Sequence, residues 1–356
     1  MTFSLSELDY TLPKARIAQH PLDRRDASRL LVLRRTNGTV DDALVLDLPD
    51  RLRRGDLLVL NDTKVVPARF HALRASGGRV AGLFEHEEGP GVWRVMLTDS
   101  RRLQPGEALT VKNACGANMT MRLTEAYGSG RWCVEVNDKA PAAAVLDRIG
   151  KTPLPPYIRR DRIDEEPDDA TDRQRYQTVY ARRPGAIAAP TAGLHFTATL
   201  LDRLAVRGIE HTMVTLHVGV GTFHPIRARD IAEHKMHGEW FELGEAAAEA
   251  VGRCRRCGGR VIAVGTTSVR VLETAAGRSG QGDGLSPCRG TTDLFIHPPY
   301  RFRAVDGLIT NFHLPGSTLL ALVMALAGVE GTRRAYDHAI QHRYRFYSYG
   351  DAMLIL

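Results

Sequence analysis

The sequence predicts an α/β protein, a mixed sheet flanked by helices, into which a small antiparallel β-barrel domain is inserted. From about Phe70 to Val136, short β-type runs alternate with Gly, Pro and Asn turns roughly every eight to twelve residues, a spacing typical of a small barrel. From Tyr176 onward, strand-like and helix-like segments alternate, as in open α/β sheets. We therefore expect a discontinuous α/β catalytic domain, residues 1–66 and 154–356, interrupted by a barrel domain over 67–153.

The first half of the chain supplies few elements outside the barrel. Leu57 to Leu60 is an apolar run that predicts a strand, followed by the polar turn Asn61-Asp62-Thr63. After the barrel, the prolines of "TPLPPYI" favour an extended linker. The acidic stretch 161–172 is expected to be a mobile surface loop.

In the second half of the chain, predicted strands and helices alternate regularly. "GAIAAPTAGLHFTATLLDRLAVRG" predicts a strand, a polar turn and a helix that ends at Gly208, and "HTMVTLHV" predicts the next strand. "RVIAVGTTSVRVLETAAG" predicts a strand, a Thr-Thr-Ser turn and a helix. "TDLFI", "GLITNF" and a Leu-rich buried helix complete the series, while the Gly- and Ser-rich "GRSGQGDGLSPCRGTTD" is expected to be an exposed loop.

Net charge, apolar runs and cysteine content indicate which class of protein the sequence encodes. The 356 residues carry a net charge of +7, which permits a polyanionic partner without requiring one. The N-terminal residues contain no apolar signal-peptide core and no apolar stretch is long enough to span a membrane, so we expect a cytoplasmic protein with no membrane partner. Its 5 cysteines do not form a disulfide framework.

Two patterns suggest a metal, and neither is complete. Cys254 and Cys257 form a CxxC without a second pair at zinc-finger spacing. His234 and His237 would share one face of a helix, but spacing nominates no third ligand. We expect no metal, and the clustered histidines are better explained as hydrogen-bonding or acid–base groups near a nucleobase.

The segment "TLHVGVGTFHP" excludes a nicotinamide-binding turn. Gly219-Val220-Gly221 begins as such a turn does, but the third glycine of that fingerprint is replaced by His224. A histidine there prevents the close contact between helix and strand.

Five polar turns follow predicted strands, which is where ligands bind in open α/β sheets. Their residues include Asn61, Asp62 and Thr63, then Thr191 and His195, Gly219 to Thr222, Thr266 to Ser268, and Asn311 and His313. Thr266 or Ser268 could equally be a helix cap. Thr267 or Ser268 would open a helix whose N–H groups suit an anion, and Arg270 could add a carboxylate contact or pair with Glu273 on the helix surface.

The C-terminal "HRYRFYSYGDAMLIL" mixes arginines and aromatic residues. This pattern fits base stacking and phosphate contact as well as it fits a final strand with core aromatics. Local pattern does not separate the two interpretations.

Nine blocks occur in order: "LNDTKVVPARF", "LPPYI", "RYQTVYA", "GAIAAPTAGLHFT", "TLHVGVGTF", "HKMHGEWFEL", "VIAVGTTSVRVLE", "TNFHLPGSTLLALVMALAG" and "YSYGDAML". Together they closely resemble the S-adenosylmethionine:tRNA ribosyltransferase-isomerase family of queuosine biosynthesis, over essentially the whole chain. Departures are small: Lys64 and His224 stand where arginine is common, and "HPPY" replaces a "PGY"-like turn.

The resemblance implies an enzyme that transfers and isomerises the ribosyl moiety of S-adenosylmethionine onto 7-aminomethyl-7-deazaguanine at the wobble position of tRNA with a GUN anticodon. The products would be epoxyqueuosine-tRNA, adenine and methionine. S-adenosylmethionine is then a consumed co-substrate, so we expect no cofactor, and we expect a monomer. An S-adenosylmethionine-dependent RNA methyltransferase and a non-catalytic tRNA-binding protein are the alternatives.

Residue roles follow from the family blocks. His195, Asp62 and His217 are the acid–base candidates, because the sulfonium acidifies the ribose C5′ protons and the leaving adenine needs a proton. The bare backbone of Gly219 and Gly221 would admit adenosine, so Gly221→Val should weaken donor affinity before tRNA affinity. The other expected substrate contacts are Phe223 by stacking, Thr266, Thr267 and Arg270 at the methionine carboxylate, and Asn61, Thr63, Arg69, Thr191, Thr222, His237, Asn311 and His313.

Overall fold

The structure is a computed structural model that describes residues 3–112, 118–160, 169–219, 221, 226, 231–234, 236–279 and 284–356. It contains a mixed nine-stranded sheet, a closed six-stranded antiparallel barrel and a two-stranded sheet. The predicted fold class is confirmed.

The strands in chain order are β1 (Arg29–Leu33), β2 (Val40–Leu44), β3 (Leu57–Asn61), β4 (Thr63–Val65), β5 (Arg69–Arg74), β6 (Arg79–Gly89), β7 (Val92–Leu97), β8 (Ala108–Lys112), β9 (Asn118–Gly128), β10 (Arg131–Val136), β11 (Arg183–Ala186), β12 (Glu210–Leu216), β13 (Glu239–Leu243), β14 (Val261–Val264), β15 (Cys288–Thr292), β16 (Gly307–Asn311) and β17 (Ala352–Ile355). The helices are α1 (Leu48–Arg51), α2 (Ala142–Ile149), α3 (Asp169–Arg175), α4 (Ala198–Val206), α5 (Glu245–Arg256), α6 (Thr266–Arg278), α7 (Thr318–Ala327) and α8 (Val329–Gln341).

The large sheet has the order β15-β13-β12-β3-β14-β16-β17-β1-β2. Strands β12, β3, β14 and β16 are parallel to one another. The pairs β15–β13, β13–β12, β16–β17 and β1–β2 are antiparallel, and β17 is parallel to β1. Because the central strands are parallel, their carboxyl ends meet at one edge. Asn61, Leu216, Val264 and Asn311 therefore end at the same edge of the sheet.

Alternate residues of β3 explain how the sheet is covered on both faces. Leu57 and Val59 pack into one core with α5 to α8, and Leu58 and Leu60 pack into a second core with α4. A strand buried on both faces is apolar throughout, which is why Leu57 to Leu60 was recognisable as a short uninterrupted run. The predicted Leu-rich helix is α7, and most of its side chains are buried.

The barrel closes in the order β10-β7-β6-β5-β8-β9, each strand antiparallel to its neighbours. Helix α2 packs Val145 and Leu146 into the barrel core. Gly82 is required there, because a Cβ at this position would collide with the Phe70 ring. The barrel strands run from Arg69 to Val136, and the domain limits at 67 and 153 stay a prediction.

Two loop predictions are wrong in part. Within the predicted acidic loop 161–172, residues 161–168 lie outside the described ranges, but Asp169 begins helix α3 and Asp172 is buried in an ion pair with Arg160 at 2.7 Å. Burial with a partner removes the charge repulsion that favoured a loop. In the Gly- and Ser-rich stretch, Cys288–Thr292 forms β15, so the strand lies upstream of the predicted "TDLFI". Pairing of its backbone with β13 holds it, independently of side-chain pattern.

The aromatic residues of the C-terminal segment belong to the core. Tyr344, Phe346, Tyr347 and Tyr349 are all buried, and Phe346 packs against Phe312 with ring centroids 4.9 Å apart. Of the two interpretations left open by the sequence, the structure supports core packing. Across the described residues, no helix has the length and apolar character that crossing a membrane requires.

Candidate active site

The turn after β3 fixes the end of β12 through side-chain hydrogen bonds. The Asn61 amide donates to the carbonyl oxygen of Leu216 at 3.0 Å and accepts from the Leu216 N–H at 3.0 Å. Asp62 accepts from the Thr215 hydroxyl at 2.6 Å and from Arg182 at 2.9 Å. Both side chains are buried and use their polar atoms within the protein. Asn61 and Asp62 therefore position the segment that follows β12.

His217 is held by the next residue of the same turn. Its Nδ1 lies 2.8 Å from the Thr63 hydroxyl oxygen, and its ring stacks on Trp240 with centroids 5.0 Å apart. Burial lowers the pKa of His217, Arg183 lowers it further, and the carboxylate of Asp62 acts in the opposite direction. The imidazole is therefore held in one orientation in an environment that disfavours its charged form.

A buried ion pair supports the glycine turn. Glu239 accepts from the Gly219 N–H at 2.7 Å and pairs with Arg270 through its other oxygen. Both charged side chains are 4% exposed. Arg270 also donates to the carbonyl oxygens of Leu294 and Thr292, each at 3.1 Å. All three guanidinium nitrogens thus have protein partners.

The alternative sequence interpretation, an Arg270–Glu273 pair on the helix surface, is wrong. Glu273 is buried and accepts hydrogen bonds from the backbone N–H groups of residues 303, 304 and 305 and from Tyr300. These partners come from a loop that is distant in sequence, so helix spacing could not indicate them.

The first cavity, here called the strand-end cavity, lies at the carboxyl ends of β14 and β16. Five of the predicted site residues line it. The lining includes Tyr157, Thr191, Val218, Gly265, Thr266, Thr267, Asn311, Phe312, His313, Tyr347 and Ser348. Among the described residues that line it, none is Asp, Glu, Lys or Arg. A ligand there is held by hydrogen bonds and apolar contacts rather than by ion pairs with these side chains.

Two buried polar atoms of this cavity have no hydrogen-bond partner among the described residues: Asn311 Oδ1 and Thr267 Oγ1. Leaving a buried polar atom unsatisfied costs roughly 1–3 kcal/mol, so such atoms indicate where a ligand binds. Helix α6 begins at Thr266, after Gly265 with φ of 87°. The first N–H groups of a helix lack intrahelical partners and favour an anion.

His195 lies behind Asn311 and outside the lining of the strand-end cavity. Its Nε2 is 3.1 Å from the Asn311 amide nitrogen, which also donates to the carbonyl oxygen of Tyr347 at 3.1 Å. Burial lowers the pKa of His195 to about 4, and the positive charges of Arg345 and Arg25 add to this. A neutral Nε2 accepts the amide hydrogen and so directs Asn311 Oδ1 away from His195.

His313 lines the strand-end cavity, with Nε2 2.7 Å from the Thr310 hydroxyl oxygen. Burial lowers the pKa of His313 to about 3. Both histidines of this region are therefore neutral near pH 7, consistent with the uncharged lining.

The second cavity, here called the interdomain cavity, lies between the large sheet and the barrel and encloses about 670 Å³. The sheet domain contributes Gly185, Ile187, His217, Val218, Gly219, Gly221, His237, Gly238, Glu239, Trp240 and Thr291, and the barrel contributes Glu85, His86, Arg94, Tyr127 and Arg131. Arg131 pairs with Glu85 at 3.2 Å, and the Arg94 guanidinium lies 3.5 Å from the centre of the Tyr127 ring. Val218 lines both cavities, so the two adjoin.

The structure separates the sequence-predicted site residues into groups. Thr191, Thr266, Thr267, Asn311 and His313 line the strand-end cavity, and His217, Gly219, Gly221 and His237 line the interdomain cavity. Asn61, Asp62, Thr63, His195 and Arg270 line neither.

Three further predicted site residues belong to none of these groups. Arg69 lines a different cavity, beside the prolines of the linker. Thr222 and Phe223 lie outside the described residues. His234 and His237 do not share a helix face, because the short 3-10 turn Ile231–Glu233 ends before both residues.

Sequence reasoning missed Tyr157, Trp240, Glu239 and the barrel residues of the interdomain cavity. Arg94 alternates with buried residues on β7, while His86 and Tyr127 lie in exposed runs of β6 and β9, and neither pattern distinguishes a ligand-facing side chain from a solvated one. Trp240 and Glu239 did stand in one of the family blocks, next to His237, and that was the available signal.

A family profile and the sequences of individual relatives agree on the kind of protein that this chain resembles. Residues 5–355 match the profile of a family described as queuosine biosynthesis protein. A protein of Ralstonia pickettii is 50% identical over 355 residues, covering 99% of this chain and 94% of its own length. One of Pelobacter propionicus is 46% identical over 353 residues, covering 99% of each chain. Both are named S-adenosylmethionine:tRNA ribosyltransferase-isomerase.

A solved structure is also similar. The crystal structure of an S-adenosylmethionine tRNA ribosyltransferase from Thermotoga maritima aligns with a TM-score of 0.55 and 33% identity, covering 98% of this chain and 100% of that one.

Proposed function

Because the chain belongs to the queuosine biosynthesis protein family, we propose that its two adjoining cavities bind the two substrates of one transfer reaction. The enzyme is a transferase that moves and isomerises the ribosyl moiety of S-adenosylmethionine onto a 7-deazaguanine base of tRNA. The product is epoxyqueuosine-tRNA, with release of adenine and methionine. The observation that supports this arrangement is the contact of both cavities at Val218.

S-adenosylmethionine occupies the strand-end cavity in this proposal. Asn311 Oδ1 accepts from an amino group of the donor, and Thr267 Oγ1 supplies a second polar contact. The methionine carboxylate lies at the N-terminus of α6, where free N–H groups and the helix dipole favour negative charge. Arg270 does not contact it and instead positions Gly219 through Glu239.

The modified base enters the interdomain cavity. Glu85 provides a carboxylate that suits an aminomethyl group, while Arg94 and Arg131 suit the flanking phosphates. Gly219 and Gly221 line this cavity, and a Cβ on Gly221 would collide with His237. We therefore propose that Gly221→Val weakens tRNA affinity before donor affinity, the reverse of the order expected from sequence.

Of the three acid–base candidates, His217 is the one that lines the interdomain cavity, and it precedes the shared residue Val218 in the chain. We assign to it the proton transfers at the target amine or the ribose carbon. Asp62 and His195 are positioning residues, because Asp62 holds Thr215 and Arg182 and His195 orients Asn311.

The finer features of the partner also remain part of this proposal. The tRNA has a GUN anticodon and carries 7-aminomethyl-7-deazaguanine at the wobble position. The enzyme works as a monomer in the cytoplasm, and it uses no cofactor because S-adenosylmethionine is consumed.

The decisive experiment incubates the protein with S-adenosylmethionine and tRNA that carries the aminomethyl base, then analyses both fractions by mass spectrometry. We expect adenine and methionine in equal amounts and epoxyqueuosine in the tRNA. S-adenosylhomocysteine with methylated RNA would show a methyltransferase instead. An unchanged donor beside bound tRNA would show a binding protein.

A further inference from the structure

Helix α8 and the edge strand β2 bring together three side chains that line neither cavity: Asp42, His338 and His342. One ligand atom of each lies within 4.8 Å of the other two. Elsewhere in the described residues, no other set of three His, Cys, Asp or Glu side chains meets this condition. Asp42 and His342 are exposed and His338 is half-buried, so an ion in solution can reach the group.

The two histidines present their rings in parallel. They stand four residues apart near the end of α8, a spacing that places both on one helix face. Their rings stack with centroids 3.8 Å apart and 20° between planes. His342 Nδ1 lies 2.9 Å from the carbonyl oxygen of His338. Since a carbonyl only accepts, the proton is on Nδ1, and His342 Nε2 keeps its lone pair for a ligand bond.

Asp42 is fixed by partners on one oxygen and faces the histidines with the other. Its Oδ1 accepts from the Tyr344 hydroxyl and from Arg29 at 3.1 Å. Its Oδ2 lies 3.0 Å from His338 Nε2. Hydrogen bonds of this kind hold a carboxylate ligand in place and support metal affinity.

Near Asp42, His338 and His342, the end of helix α8 favours a bound cation and Arg29 opposes one. The C-terminal carbonyl groups of a helix carry partial negative charge, which favours a cation beside the last turn of α8. Arg29 opposes a cation, but its guanidinium is already bound to Asp42 Oδ1 and to the carbonyl oxygen of His342. Arg29 therefore weakens cation binding without occupying the ligand atoms.

We propose that Asp42, His338 and His342 form a binding site for a first-row divalent ion that prefers imidazole, with Zn²⁺ as the representative. Two imidazole nitrogens and one carboxylate oxygen provide three ligands, and water completes a tetrahedral set. The ion displaces the proton that His338 Nε2 shares with Asp42, and this proton moves to solvent or to Nδ1 of the same ring. The ion thereby replaces that hydrogen bond and joins β2 to the end of α8. It is a structural link and takes no part in the transfer reaction.

The sequence did not indicate this site because Asp42 and His338 are 296 positions apart. The expectation of no metal considered the His234–His237 pair and the CxxC. In the CxxC, burial raises the pKa of the Cys254 thiol to about 11, with Asp306 and Asp56 adding to the effect, so a thiolate ligand is disfavoured there. Cys257 is exposed and is the competitor that a metal titration must control for.

The test is a calorimetric titration of the metal-free full-length protein with Zn²⁺. His342→Ala removes one exposed ligand and leaves the Asp42–His338 pair intact, while His211→Ala on β12 removes another exposed histidine as the matched control. We expect His342→Ala to weaken Zn²⁺ affinity by at least about tenfold and His211→Ala to leave it unchanged. Asp42→Asn should weaken it similarly while retaining an acceptor for Tyr344.

A second readout identifies the ligands. Co²⁺ bound to nitrogen and oxygen should give visible d–d bands without a thiolate charge-transfer band, and these bands should be absent in His342→Ala. Equal Zn²⁺ affinity in wild type and His342→Ala would overturn the proposal. So would the absence of binding in the wild type, or binding that disappears in Cys257→Ser. Circular dichroism verifies that each variant is folded.

Discussion

The two adjoining cavities are built from different chemistry. The lining of the strand-end cavity consists of uncharged and apolar side chains among its described residues, with two unsatisfied polar atoms and two neutral histidines nearby. The interdomain cavity is lined by two arginines, two glutamates and three histidines. The first recognises a small ligand by shape and a few hydrogen bonds, and the second recognises a charged polymer. Their ligand affinities should therefore respond differently to mutation, pH and salt.

The largest expected effect comes from breaking the buried ion pair that supports the glycine turn. Glu239→Ala leaves Arg270 buried without its carboxylate and frees the Gly219 N–H, so the free energy of unfolding should fall by about 3–5 kcal/mol. Chemical denaturation measures this change. In the matched control, Glu242→Ala breaks the more exposed pair with Arg183, and the loss should stay below about 1 kcal/mol. Equal losses in the two variants would contradict the role of the buried pair.

The next effect is a pH dependence of the free energy of unfolding, which comes from His195 behind the strand-end cavity. The pKa of His195 is lowered from 6.5 to about 4 in the folded protein. As pH falls below 6.5, the unfolded chain binds the proton first, so stability is lost between pH 6.5 and about 4 and the loss then stops. One such histidine accounts for about 2–3 kcal/mol.

Unfolding free energies at several pH values check this expectation. His195→Gln should reduce the loss and leave the part contributed by His313, whereas His211→Gln, at an exposed position, should behave as the wild type. A pH dependence identical in His195→Gln and wild type would mean that His195 is not buried in its neutral form.

A smaller effect concerns the strand-end cavity alone. Asn311→Ala removes the acceptor Oδ1 and should weaken S-adenosylmethionine binding by about 1–3 kcal/mol, roughly fivefold to 150-fold. Binding of unmodified tRNA should not change. Calorimetry measures the donor and a filter assay measures the tRNA. If tRNA binding falls as much as donor binding, the assignment of separate cavities is wrong.

The smallest effect concerns the interdomain cavity alone. Arg131→Met removes one positive charge and should weaken tRNA binding modestly at low salt, reducing the slope of log affinity against log salt by about 1. Donor affinity should stay constant. Arg122→Met, on the neighbouring strand β9 and outside the lining, is the control for a general charge effect. An identical change of slope in both variants would remove Arg131 from the binding surface.

The sequence was informative where local pattern and topology act together. Leu57 to Leu60 was recognisable as a strand because both of its faces are buried, which makes the run apolar throughout. Since the parallel strands β14 and β16 end at one edge, the turns holding Thr266 and Asn311 could be expected to converge, and both line the strand-end cavity. Thr191 lines it too, although the strand before it, β11, belongs to the two-stranded sheet.

Residue roles were harder to predict because partners come from distant segments. The carboxylate of Asp62 is bound by Thr215, 153 positions away, and the guanidinium of Arg270 by Glu239, 31 positions away. A sequence pattern indicates that a charged side chain is present, but it does not indicate whether the charge is already neutralised. The barrel residues of the interdomain cavity, such as Glu85 and Arg131, depend on how two domains pack, and no local pattern encodes that packing.

The Asn61–Leu216 contact has a consequence for how the protein can change in evolution. By bonding both the N–H and the carbonyl of Leu216, the Asn61 amide imitates the peptide group of an adjacent strand. The main chain is thereby released to turn into β4 and on to the barrel, while β12 keeps a complete set of partners. Splicing a different module into the chain beyond β4 leaves those bonds untouched. Because a side chain here takes the place of backbone, the sheet can accommodate an inserted domain at this point.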